Sequence, residues 1–92
     1  IWKYDIRPDG TLANKTFFAP EGSDGMTIDN RGNVYLTNKV VSVFNAEGKN
    51  IARIEVPEQP SNVCLGGKKR NILFITARTS VYILKMNVNG VQ

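Results

Sequence analysis

Apolar and polar residues alternate with a period of two along most of the chain, and turn residues interrupt the alternation at regular intervals. Trp2, Tyr4 and Ile6 alternate with Lys3 and Asp5. Arg7-Pro8-Asp9-Gly10 then turns and Leu12 to Phe18 runs back, which predicts a hairpin. Ala19-Pro20-Glu21-Gly22 breaks the pattern. Met26-Thr27-Ile28, the turn residues Asp29-Asn30-Arg31-Gly32-Asn33 and the β-branched and aromatic run Val34-Tyr35-Leu36 predict a second hairpin, with Asp24-Gly25 at its start. Val40 to Phe44 and Asn50 to Val56 flank another turn, Asn45-Ala46-Glu47-Gly48-Lys49. After the break at Pro57-Glu58-Gln59-Pro60, strands are predicted over Asn62 to Leu65, Asn71 to Thr76 and Ser80 to Met86. No segment calls for a helix.

The pattern repeats. Pro20, Ser23-Asp24 and Val34-Tyr35-Leu36-Thr37 recur as Pro57, Ser61-Asn62 and Leu73-Phe74-Ile75-Thr76, 37 to 39 residues on. Trp2-x-Tyr4 with Asp9-Gly10 recurs as Val41-x-Val43 with Glu47-Gly48 at a similar spacing. A period near forty with four strands per unit is the mark of β-propeller blades. The expected organisation is all-β. Residues 1–19 form the outer strands of one antiparallel blade, 20–57 a complete four-stranded blade, and 58–92 most of the next. That is about two blades. Each blade packs both faces on its neighbours, so this set leaves an apolar face at each end and an open edge beside Ser80 to Met86. Further blades of a parent chain would cover them, or self-association would, with three copies closing a six-bladed ring.

Composition narrows the classes. With 41% apolar and 22% charged residues the chain is neither disordered nor, with no apolar run near the roughly 20 residues of a membrane helix, membrane-spanning. It reads as a soluble piece, cytoplasmic or periplasmic, with no membrane partner. Ile1-Trp2-Lys3-Tyr4 begins with the alternation already running, as though inside a fold and without a signal peptide. The formal charge of +4 is scattered, apart from Lys68-Lys69-Arg70. That cluster lies in a turn and no aromatic residues interleave with it, so nucleic acid is not an expected partner. The single Cys64 has no partner for an internal disulfide, and its neighbours Val63 and Leu65 predict a buried thiol. The chain has no His, which removes a Ser-His-Asp triad, a His-based zinc site and a base for Cys64.

The candidate chemistry centres on Asp24. A carboxylate at the start of a strand, followed by Gly25 where the backbone can bend, can aim its oxygens above the sheet, the arrangement that holds hard cations. The same dipeptide is also an ordinary turn. Asn62 is expected to hold the matching place in the next blade, either as a substrate-binding residue or as a cap on the turn. Arg78, beyond Ile75-Thr76-Ala77, is placed either to hold a substrate oxygen or to face solvent. Asp29 and Asn30 are expected to fix the hairpin turn, and Trp2, Tyr4, Tyr35, Phe44, Phe74 and Tyr82 to pack between blades.

Ser23-Asp24-Gly25-Met26-Thr27-Ile28-Asp29, the hairpin after it, and Pro60-Ser61-Asn62-Val63-Cys64-Leu65-Gly66-Gly67 with Leu73-Phe74-Ile75-Thr76-Ala77-Arg78 resemble the last third of the gluconolactonase/senescence-marker-protein (SMP-30) family. The resemblance covers nearly the whole chain. It implies a six-bladed β-propeller that holds a divalent metal in its central channel and hydrolyses sugar lactones or related esters. Asp24 matches the family's metal-ligating aspartate and general base. The family's other ligands, a glutamate and an asparagine, belong to blades this sequence lacks. Calcium is the implied ion, with zinc, magnesium or manganese as substitutes. The rival is a non-catalytic propeller module for binding or assembly, which would need no metal.

Overall fold

Nine β-strands account for the alternating runs in the computed structural model, which describes residues 1–20 and 22–91. β1 (Trp2–Ile6) pairs with β2 (Leu12–Phe17). β3 (Met26–Ile28), β4 (Val34–Thr37), β5 (Val41–Phe44) and β6 (Asn50–Ile54) form a four-stranded meander, and β7 (Pro60–Gly66), β8 (Ile72–Ala77) and β9 (Ser80–Lys85) a three-stranded one. All pairings are antiparallel and follow chain order.

The turns repeat one geometry. Backbone bonds Arg7 N–H to Thr11 O, Asp29 N–H to Asn33 O and Asn45 N–H to Lys49 O close three hairpins, with Gly10, Gly32 and Gly48 at φ of 86°, 81° and 84° in the same left-handed place. In the turn that begins at Gly67, Arg70 takes that place at φ 53°.

The central strands β4 and β5 of the middle sheet are covered on both faces, which is why all four residues of β5 are inaccessible. Tyr35, Val41 and Val43 pack against Val63, Leu73 and Ile75 of the third sheet. Leu36 and Phe44 pack the other way with Ala19 and the half-buried Ile1, Phe18 and Val34. Burying each such side chain contributes about 1.5–3 kcal/mol.

The outer faces are bare. Val81 and Ile83 on β9 are 64% and 67% exposed. Trp2 and Tyr4, expected between blades, are 55% and 43% exposed, because the sheet holding them has only two strands and a neighbour on one side. Trp2 instead meets the edge of Phe17, 5.7 Å between centroids, and carries Lys15 Nζ 4.5 Å above its ring. That sheet does not reach across β3, so Met26 and Ile28 line an apolar hollow of about 330 Å³ with Trp2, Phe18 and Val34. Cys64 is exposed, contrary to expectation. It alternates with the buried Val63 and lies on the uncovered face of the third sheet.

Asp29 ties the meander together from a buried position. Its Oδ1 accepts the N–H groups of Arg31 and Asn33 at 2.8 and 3.0 Å, and its Oδ2 accepts Asn33 Nδ2 and the Tyr35 hydroxyl at 2.9 and 2.8 Å. Asn30 exchanges bonds with Asn89, and Gly90 donates to Arg70 O, so residues 87–90 link the β3–β4 turn to the β7–β8 turn. Burial alone would raise the Asp29 pKa. The four donors outweigh it and hold the carboxyl below its ordinary value of 3.8, while burial and the neighbouring carboxylate push the Tyr35 hydroxyl up.

Replacing Asp29 by Ala strands these donors, and urea unfolding should show a loss of about 3 kcal/mol or more. Tyr35→Phe should cost about 1 kcal/mol, because only one of the four bonds is lost. The folded pKa lies below the unfolded one. The stabilisation from ionised Asp29 is therefore complete above pH 3.8 and is lost as pH falls through the lower folded value. Acid titration of Asp29→Asn should show a shallower loss of stability in that range than wild type.

Candidate active-site cleft

Strand order brings the start of β3 beside the start of β7, and the cleft between them, of about 260 Å³, is lined by Asp24, Gln59, Pro60, Ser61 and Arg78. Asp24 is exposed at this mouth. Its N–H donates to Thr37 O at 3.0 Å, and Thr37 N–H donates to Gly25 O at 3.0 Å, so both Asp24 and Gly25 oppose one residue of β4. This local irregularity turns the Asp24 carboxylate out of the ladder.

The third sheet repeats the device. Its register slips between Pro60 and Asn62, leaving Ser61 outside the ladder, and the Ser61 hydroxyl donates to Thr76 O at 3.2 Å. Thr76 Oγ1 lies 3.5 Å from Asn62 O, as Thr37 Oγ1 lies 3.1 Å from Gly25 O. The structural counterparts are therefore Asp24 with Ser61, and Gly25 with Asn62. The expected match of Asp24 with Asn62 is off by one residue, because the two halves of the repeat are offset by 37 residues before the turn and 39 after it.

Asn62 consequently does not line the cleft with Asp24. It lines a separate hollow with Val63, Cys64, Phe74 and Thr76, and its Oδ1 accepts the Val63 N–H at 2.9 Å. Its side chain also fills the space over Gly25, where an added Cβ would come within 2.6 Å of Asn62 Cγ and 3.1 Å of its Cα. Gly25 is required by this contact.

Arg78 does share the cleft with Asp24, carried on the turn between β8 and β9. Glu58 braces that turn, accepting from Thr79 Oγ1 at 3.3 Å and the Tyr82 hydroxyl at 3.2 Å. Its pKa is lowered by the hydrogen bond from Ser80 first, then by those from Tyr82 and Thr79, which outweigh desolvation. Sequence reasoning passed over Glu58, Gln59 and Thr37. Only Thr37 left a signal, in its recurrence as Thr76 at the end of the second strand of each repeat.

Asp24 and Arg78 line the cleft together with the polar residues Ser61 and Gln59. Such a set can orient a polar, oxygen-rich ligand and move a proton. Among the described residues no three His, Cys, Asp or Glu side chains gather. A hard cation such as calcium takes six to eight oxygens. Asp24 fits as one ligand of such an ion, and these residues alone do not fit a whole coordination shell.

Stacked antiparallel meanders of this connectivity are blades of a β-propeller, a little over two of them. The chain belongs to the SMP-30/gluconolactonase/LRE-like family, whose model matches residues 1–79. Among solved structures it is similar to a protein provisionally designated a gluconolactonase, at 24% identity and a TM-score of 0.85 over 99% of this chain and 33% of that one. It is similar also to a gluconolactonase of Xanthomonas campestris described as important in glucose secondary metabolism, at 26% identity and a TM-score of 0.79 over 91% of this chain and 29% of that one. This chain thus spans about a third of their length. A search of curated proteins found no match.

Gly25→Ala should lower stability by about 1–3 kcal/mol through the clash with Asn62, read from thermal unfolding. Adding Asn62→Gly should recover part of that loss, because the Cγ contact disappears and only the backbone contact remains.

Proposed function

We propose that these blades form part of a hydrolase of sugar lactones, with Asp24 at its active-site mouth. The observation that carries the reading is the position of Asp24, exposed just before the first strand of the four-stranded blade, with Arg78 lining the same cleft. Family membership and the gluconolactonase designations of the similar structures support it. Asp24 acts as a general base, taking the proton from the water that attacks the lactone carbonyl, and Arg78 with the Ser61 hydroxyl orients the sugar oxygens. A divalent cation, calcium or in its place zinc, magnesium or manganese, would polarise the carbonyl when bound, and Asp24 would supply one of its oxygen ligands. The rest of that shell comes from blades beyond this chain.

The bare faces are closed by further propeller blades. Blades of the same polypeptide suit the strand count better than copies do, because three copies of nine strands exceed what six four-stranded blades hold.

Hydrolysis of glucono-δ-lactone, followed by pH-stat, tests the activity. Asp24→Asn should lower kcat by about a hundredfold or more, and a chelator should abolish turnover until a divalent metal is restored. Lactone binding without turnover would favour a non-catalytic module instead. Light scattering tests the covering of the faces: a mass of three times 10.2 kDa would assign it to copies of this chain.

A further inference from the structure

Thr37 is fully buried where the middle and third sheets meet, and its side chain bonds to both sides of the cleft. Its Oγ1 accepts the Gly25 N–H at 2.9 Å. The single hydroxyl proton is shared between Gly25 O at 3.1 Å and Ser61 O at 3.2 Å. Its backbone holds Asp24 and Gly25 as well, through the bonds already described. Asp24 and Ser61, the two counterparts at the mouth, are therefore referred to one hydroxyl lying beneath them.

A merely structural threonine at the end of a strand has no need of this. Valine would fill the same volume, and the Gly25 N–H could pair with a carbonyl as ladder amides do. Here the Gly25 N–H is taken by the hydroxyl, while Thr37 O accepts the Asp24 N–H. The irregularity that turns Asp24 outward thus depends on a side-chain acceptor at residue 37. Thr76 repeats the arrangement in the third sheet, reaching Asn62 O and the Ser61 hydroxyl, with its outer side uncovered where no further sheet is stacked.

Resting on the hydrolase reading above, we infer that Thr37 is a positioning residue for the reaction: its buried hydroxyl fixes the Asp24 carboxylate relative to Ser61 across the boundary between two blades. It touches no substrate. Its effect is on the geometry with which Asp24 meets the attacking water, where a displacement of about 1 Å can cost up to a hundredfold in rate.

The test compares wild type, Thr37→Val and Thr37→Ser, each carried in a complete propeller, by amide hydrogen exchange and by glucono-δ-lactone hydrolysis, with kcat normalised to the folded fraction seen by circular dichroism. Val should speed exchange of the Gly25 amide by about tenfold or more while the β4 and β5 amides keep their protection. It should also lower normalised kcat by about tenfold or more with KM changed less than about threefold. Ser, which keeps the hydroxyl, should return both readouts to near wild type. Unchanged Gly25 exchange in the Val variant, or equal loss of activity in Val and Ser, would overturn the proposal. A wild-type protein without lactone turnover would overturn the hydrolase reading alone, and the Gly25 exchange would then still decide whether Thr37 holds the Asp24 segment.

Discussion

Everything in this chain follows from the requirement that a blade be covered on both faces. β5 is buried along its whole length, which a short strand achieves only between two other sheets. Tyr35, Val41 and Val43 face one neighbour while Leu36 and Phe44 face the other. The central strands of the middle blade are thus covered on both faces. The first and third sheets each have a neighbour on one side only, and the exposed Val81, Ile83, Met26 and Ile28 mark where the covering stops. An apolar face of this kind is stable in water only when another surface takes it up.

The polar bonds are subordinate to that stacking, but they set its register. Asp29 satisfies four donors from a buried position, and one of these is the hydroxyl of Tyr35, whose ring packs against the third sheet. The same carboxylate therefore fixes a turn and orients a side chain at the boundary between blades. Residues 87–90 add a second tie at that end of the boundary. At the opposite end, Thr37 and Glu58 hold the cleft. The boundary is pinned at both ends by side-chain hydrogen bonds and filled between them by apolar side chains. This arrangement gives the mouth residues fixed positions without burying them.

The sequence made the strands legible, because alternation, Gly-containing turns and the recurrence of Ser23-Asp24 and Thr37 as Ser61-Asn62 and Thr76 are local properties. Asp29 was legible for the same reason: its partners lie two to six residues away. The partnership of Asp24 was not. Aligning Ser23-Asp24 with Ser61-Asn62 is the natural reading of the letters, yet the ladder slips at Ser61 and shifts the correspondence by one. A register slip leaves no residue type behind it, and a single step in a strand moves a side chain to the other face. Cys64 failed for a related reason. Apolar neighbours predict burial only if the face they share is covered, and its face has no neighbour here. Trp2 and Tyr4 failed in the same way.

Asp24 comes from one sheet, and Ser61, Gln59 and Arg78 from the next, so no single repeat contains the site. The exposed carboxylate is held by backbone bonds within its own sheet, but its distance to the groups opposite is set by the contact between sheets. A substitution anywhere in the apolar filling that changes the spacing of the blades acts on the cleft without touching it. Thr37 joins these levels, since the strand that packs the interface ends in the residue that holds the mouth. In a propeller, stability and site geometry are for this reason carried by the same surfaces, and the function of a blade cannot be separated from the neighbour it packs against.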